Sequence, residues 1–473
     1  MSQELSAQLA KHGFSLYPKS LRTLESGTQI FVANKSGQKA VGICQNADCR
    51  LQLTSPILQD GNISLHPLTW ENYLKLKAVM PISPSPCDKR ASFGTGDRLG
   101  LVSAAHLDVM QKYPVFPVIA QQSPRELIKT NRDFQDVLLK AVMGVLESGY
   151  TGTFGADADH IKDEEYLMMA AHAGYSMYTL DVSDWLQDPT GKCKNCLTDL
   201  SRSIITDFAG MTLPGYTISE DELITSALIY EQPMQQVEHF NELIAGVVPD
   251  FDLEVSIDEG SRDTTVEDHL FAAEYLHRSG INFTSLAPKF PGQFQKGVDY
   301  EGDVVALEKS LRAHGALCKQ IGLRRAQSSR GYRLSLHSGS DKFSVYPLYN
   351  EVTDGGWHIK TSGTSWLEAV RVVSKVNLPL FKELYALCLA NLDESKKAYH
   401  VRITPQDFPA QLPDDVATFF AIPNVRQLFH ISYSALLDAK RSEIYETLYA
   451  HEPEHYASVS SHIERHLKLL FPG

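Results

Sequence analysis

Thr153-Phe154-Gly155-Ala156-Asp157-Ala158-Asp159-His160 is the stretch on which the fold turns. A short apolar, strand-like segment at 153–156 hands over to two acids and a histidine. The same handover recurs at Asp258-Glu259, at Lys289, at His337-Ser338-Gly339-Ser340-Asp341-Lys342, and at His358 with Lys360. Polar clusters far apart in sequence, each at a strand end, are the pattern of a (β/α)8 barrel, whose active site is assembled from the carboxyl ends of several strands.

Working outward from that stretch, a β-then-α alternation runs along most of the chain. Strands are expected at 91–93, 115–120, 153–156, 176–182, 252–257, 282–286, 332–336 and 357–361. Helices are expected at 101–113, 133–149, 163–173, 220–247, 266–278, 304–321 and 366–392, with none between the seventh and eighth strands. The proline-rich Pro81-Ile82-Ser83-Pro84-Ser85-Pro86 cannot be a helix interior and reads as a connector. The chain thus divides into an N-terminal extension with short strands (1–80), an α/β barrel of the TIM type (81–400) and a helical C-terminal tail (401–473).

Composition narrows the classes. The 473 residues are 43% hydrophobic and 21% charged, with a net charge of −13. These values suit a globular protein with a large core and speak against bulk attraction to nucleic acid or an acidic membrane. The seven cysteines are odd in number and sparse, so a disulfide framework is not expected. The start, MSQELSAQLAKHGF, has no apolar leader, and no window resembles a membrane span. The cytoplasm is the expected compartment. A homo-oligomer is left open.

Each cluster has a bland competitor. Asp157 and Asp159 share one face of an extended segment, and His160 points elsewhere unless the strand has ended; a helix cap is the alternative. Asp258 and Glu259 compete with a cap before Thr264-Thr265-Val266-Glu267, which resembles a capping box. His337 suits a metal, and Ser338 to Ser340 could present backbone N–H groups to an anion. His358 and Lys360 share a strand face that would line the barrel. Gly94-Thr95-Gly96-Asp97-Arg98-Leu99-Gly100 lacks the spacing of a dinucleotide fingerprint but suits a substrate loop. Cys193-Lys194-Asn195-Cys196 is a lone pair of thiols without the second pair a structural zinc site needs.

The ordered set DKRASFGTGDRLGLVSAAHL, FGADADHI, SIDEG, LAPKFPGQFQKGVDY, LSLHSGSDKF and HIKTSGTSWLEA resembles the tagaturonate epimerase family. The resemblance covers 87 to about 370. It implies an isomerase of hexuronate catabolism that interconverts D-tagaturonate and D-fructuronate with a divalent metal cation (Zn, Mn, Fe, Co or Ni). Carried over by motif, it implies metal ligands His160, His337 and His358, with Asp159 as proton acceptor and Glu259 as proton donor. Lys89, Arg98, Lys289, Ser338, Asp341, Lys342 and Lys360 are the expected contacts to a sugar-acid substrate.

The two sugars differ at carbon 4, whereas the ketone is at carbon 2. Enolisation therefore cannot invert that centre. Oxidation of the carbon-4 hydroxyl by a nicotinamide is one route, and the absent dinucleotide fingerprint speaks against it. Retro-aldol cleavage between carbons 3 and 4, rotation and re-addition is the remaining expected route. A metal-dependent aldolase, a ketose 3-epimerase, a Schiff-base aldolase using Lys289 or Lys360, and a non-catalytic sugar-acid-binding protein are the rival readings.

Overall fold

The computed structural model describes residues 2–45, 51–325, 332–397, 399 and 401–472. Its centre is a closed barrel of eight parallel strands: β1 (Ala91–Thr95), β2 (Val115–Gln122), β3 (Gly155–Ile161), β4 (Met177–Asp181), β5 (Asp252–Ile257), β6 (Ser285–Pro288), β7 (Arg333–Leu336) and β8 (Trp357–Thr361). Neighbours in sequence are neighbours in space, and β8 closes on β1 through His358 opposite Ser92. Covered by helices outside and side chains inside, these strands read as nearly continuous buried runs.

Three expectations needed revision. The third strand begins at Gly155 and runs to Ile161, so Asp157 and Asp159 lie within it rather than after it. A helix, Tyr346–Thr353, does connect β7 to β8. The single helix expected at 366–392 is two, Thr364–Val376 and Leu378–Ala390. Pro379 explains the break: it has no N–H to give, its ring disfavours a helical predecessor, and Asn377 caps the new helix by accepting from the Leu380 N–H.

The caps settle what the acids are for. Asp163 caps Glu164–His172 and Thr265 caps Val266–Arg278, the latter in a capping box with Asp268 rather than between Thr264 and Glu267. Asp157, Asp159, Asp258 and Glu259 are therefore not the helix caps.

Ahead of the barrel, strands Gln29–Lys35, Gln38–Cys44 and Ile63–His66 form the middle of a six-stranded antiparallel sheet. Lys39 binds this sheet to the rest: its Nζ lies 2.6 Å from Glu147 and 3.0 Å from Glu452. The last helix, Glu452–Leu470, packs on Ser103–Met110 and Thr364–Val376 and sends Val459, Ile463, Leu467 and Leu470 into the barrel's own core. Among the described residues no cysteine is bonded to another, and Cys193 and Cys196 are exposed with sulfurs 3.9 Å apart. No described helix is long and apolar enough to cross a membrane.

Candidate active site

Lys360 stands at the middle of the barrel interior. Its Nζ lies 2.6 Å from Asp157, 2.7 Å from Asp159 and 3.1 Å from Glu254, and it donates to the Thr179 hydroxyl. The Asp157 contact is an ion pair rather than an aligned hydrogen bond, because the nearest oxygen has no well-directed donor. Burial opposes the charge on Lys360, but the three carboxylates outweigh it and hold its pKa above the ordinary lysine value. A lysine kept charged is a poor nucleophile, which weighs against a Schiff base here. Burial likewise opposes ionisation of Asp159; Lys360, His160 and His337 overcome it and hold the carboxyl below its usual range. Asp157, equally buried and crowded by Asp159 and Glu254, goes the other way, up to about 6.

Above this layer β3 does something its sequence conceals. Tyr178 pairs with Ala158 but Leu180 pairs with Ile161, so Asp159 and His160 together oppose the single residue Thr179. That is a β-bulge. His160 has φ +51°, a left-handed conformation rare for a residue with a side chain and concentrated at functional sites. Strict alternation would turn His160 away from Asp159; instead its Nε2 comes within 3.8 Å of Asp159, while Nδ1 lies 3.3 Å from Asp181.

His337 completes the mouth. Its ring lies 4.8 Å from that of His160, centroid to centroid. Nε2 donates to Glu254 at 2.7 Å, and Nδ1 is 3.2 Å from Asp258. Ser338 follows with φ +51°, and the Gly339 N–H donates to the Lys360 carbonyl at 2.9 Å. Gly339 has no room for a side chain: a Cβ would stand 2.6 Å from Ile359 Cγ2. This close approach of the β7 loop to β8 brings His337 over Lys360.

These groups open into a cavity of about 350 Å³, lined by Asp159, His160, Asp181, Asp258, Glu259 and His337 together with Arg98, Arg125, Lys296 and Tyr399. The volume suits a small polar ligand.

The sequence-derived residues divide clearly. Asp159, Glu259, His160, His337, Arg98 and Ser338 line the cavity, and Lys360 supports it from below. His358 sits deeper, paired in register with Ser335 and hydrogen-bonded through Nδ1 to Ser92 at 2.8 Å. Ligand atoms that gather within 4.8 Å of one another at the mouth belong to His160, Asp181 and Glu259; His358 joins no such group among the described residues. Lys89 precedes β1, at the opposite end of the barrel, and donates to the Val115 carbonyl at 2.8 Å. Lys289 donates to the Gly260 carbonyl at 2.7 Å, bracing the loop that carries Glu259. Asp341 faces the tail, 2.9 Å from Arg426 and 2.5 Å from His462. Lys342 is buried against the carbonyls of Gln295, Val298 and Ser340. The structure adds Glu254, Asp181, Asp258, Lys296 and Tyr399. Asp258 and Lys296 stood inside the motifs already quoted; Glu254 and Asp181 lie in ordinary-looking strands without a local signal.

Residues 17–470 match the family model described as UxaE, tagaturonate epimerase. The chain is 36% identical over 475 residues to the tagaturonate/fructuronate epimerase of Thermotoga maritima, covering 97% of both. Two crystal structures of the fructuronate-tagaturonate epimerase UxaE from Cohnella laeviribosi resemble it over 99% of each chain at 32% identity, the native form with a TM-score of 0.90 and a one-glycerol complex with 0.89. Matched over nearly its whole length by one family model and by a relative at 36% identity, the chain belongs to the tagaturonate epimerase family, and it is an isomerase.

Proposed function

We propose that this protein interconverts D-tagaturonate and D-fructuronate by inverting carbon 4 through retro-aldol cleavage and re-addition, with a divalent metal ion at the barrel mouth. One observation carries the reading. Asp159 and Asp258 reach the same cavity from separate strands, and His160 and His337 connect them in a continuous chain of contacts.

The donors present fit a divalent ion. Two imidazoles stand among the carboxylates of Asp159, Asp181, Asp258 and Glu259, and His337 Nδ1, though near Asp258, has no aligned hydrogen bond. His160 and Asp181 would hold the ion, with His337 beside them and Glu259 within reach as a further ligand if it is not the proton donor. When bound, it would polarise the carbon-2 ketone and stabilise the negative charge that cleavage develops.

Asp159, held ionised by Lys360, accepts the carbon-4 hydroxyl proton as the bond between carbons 3 and 4 breaks. The electron pair of that bond stays with carbon 3, and carbon 4 becomes an aldehyde. After the aldehyde turns its other face, carbon 3 attacks it, and the new hydroxyl takes its proton from Glu259. The open side of the cavity lets solvent reset both acids. The grouping of Glu259 with His160 and Asp181 favours a second role, as a metal ligand. Glu259→Gln separates the two: a donor's loss lowers kcat with metal content retained, and a ligand's loss lowers metal content itself.

The test of the whole reading is epimerisation of D-tagaturonate by the purified protein after chelation and again with metal restored. Metal-restored formation of D-fructuronate supports it. No turnover with any divalent metal overturns it.

A further inference from the structure

Lys296 lies on the loop between β6 and the helix Val304–Arg325, and its side chain lines the active-site cavity. Other cations there are already engaged, Arg125 over the ring of Tyr399 at 5.3 Å among them. Arg98 donates twice to Glu126, at 3.0 and 2.8 Å, and stacks on Tyr433. Lys162 lies 2.8 Å from Asp184 and 3.5 Å from Asp181. Lys360 is surrounded by three carboxylates. Among the described residues the Lys296 ammonium has neither a hydrogen bond nor an ion pair.

The loop is nevertheless built to hold it in place. Buried Lys342 donates to the carbonyls on either side, Gln295 at 2.8 Å and Val298 at 2.6 Å. Gln427 from the tail donates to the Gln295 side chain at 2.9 Å. Gly297 turns the chain with φ +75°, against Leu367 and His430. A half-buried cation without a counterion is unfavourable, and rigid support makes the arrangement persist until an anion arrives. Burial, Arg125 and Arg98 all press its pKa down, while Glu126 and Asp159 oppose them, so the ammonium senses both walls of the cavity.

We infer that Lys296 is the anchor for the substrate's carboxylate. The inference rests on the epimerase reading above and assigns one end of the sugar acid. In retro-aldol cleavage the carboxylate at carbon 6 belongs to the aldehyde fragment. A fixed carboxylate keeps that fragment in the cavity while carbon 4 turns its other face, and the same bond then reforms. Lys342 acts through Lys296 as a positioning residue. Two residues expected to reach the substrate, Lys342 and Lys89, are thereby accounted for differently: one supports the anchor, and the other lies at the far end of the barrel.

The experiment compares binding of D-tagaturonate and D-tagatose, its neutral counterpart with a hydroxymethyl group at carbon 6, to the full chain by calorimetry, with turnover measured alongside. Lys296→Met is expected to weaken binding of the acid about 30-fold, the size of a charge-assisted hydrogen bond. It should leave the neutral sugar within about twofold, and Lys296→Arg should restore most of the acid's affinity. Equal weakening of both sugars, or none, overturns the anchor. So does a wild-type protein that binds the acid no better than the neutral sugar. Selective loss in the variant together with absent turnover in the metal-loaded wild type leaves the anchor standing and overturns the epimerase reading instead.

Discussion

His358 stands within β8 and His337 just past the end of neighbouring β7, and their surroundings shift their protonation in opposite directions. Burial opposes the charge on each. Around His337 the carboxylates of Asp258 and Glu254 outweigh burial and push it up to about 10. Around His358 burial is joined by Lys360, Arg333 and His337, against Glu254 alone, and the ring falls to about 3. The same side chain thus marks two layers. The upper one is acid-rich, opens to the cavity and suits a cation. The lower one is a buried support whose histidine hydrogen-bonds to Ser92. Lys360 is the divider, drawing Asp157, Asp159 and Glu254 to itself.

Removing the divider should have the largest effect. Lys360→Met leaves three carboxylates facing one another without their cation, and breaking a buried pair in this way destabilises by about 3–5 kcal/mol. Urea unfolding should show that loss, and turnover should fall with it because Asp159 would no longer be held ionised. Unchanged stability would mean that the two layers do not depend on Lys360. Asp159→Asn is milder for the fold, since the shape is kept. It should lower kcat on the order of 10²–10⁴-fold, the usual contribution of a general base, with the chain still folded by circular dichroism. Wild-type kcat in that variant would remove Asp159 from the reacting layer.

The two histidines can also be separated by pH in the chelated protein. An unfolded histidine titrates near about 6.5. His337 binds its proton more tightly when folded, so its stabilising contribution is complete below about 6.5 and is lost as pH rises toward about 10. His358 binds its proton less tightly when folded, so its contribution is complete above about 6.5 and is lost as pH falls toward about 3. The Tm difference between wild type and His337→Gln should therefore shrink at alkaline pH, and that between wild type and His358→Gln should shrink at acid pH, each on the order of 2–4 °C. The same trend for both variants would contradict the division into layers.

Much of this architecture is legible in the sequence, and the limits have physical causes. Eight strands could be placed because each is a short apolar run, followed in every case but the seventh by helical periodicity. The polar residues at strand ends could be recognised because packing gives no reason for them there. What could not be read is non-local. The bulge that turns His160 inward is set by its register against β4, whose paired residues lie 19 or 20 positions along the chain, and alternation along β3 predicts the opposite direction. Glu254 reads as a polar residue midway along a strand, and only the barrel's closure brings it to Lys360 and His337. Arg98 sits in a glycine-rich loop that suggested a substrate contact, yet its guanidinium is taken by Glu126 and by the carbonyl of His430 in the tail. The tail's own part in the site has no local signature at all.

The smallest perturbation decides the standing of His358. Ser92→Ala removes the partner of His358 Nδ1, a hydrogen bond of 2.8 Å, and leaves the cavity lining untouched. If the lower layer is only a support, the change costs about 1 kcal/mol in stability, and metal affinity and kcat stay as they were. If His358 ligates the ion through Nε2, which has no partner among the described residues, then Ser92 orients a metal ligand. Losing such an orienting contact typically lowers metal affinity by about 10–100-fold. Metal titration of this one variant therefore distinguishes a histidine that holds the ion from one that holds the floor beneath it, and the first outcome would move the metal one layer down the barrel.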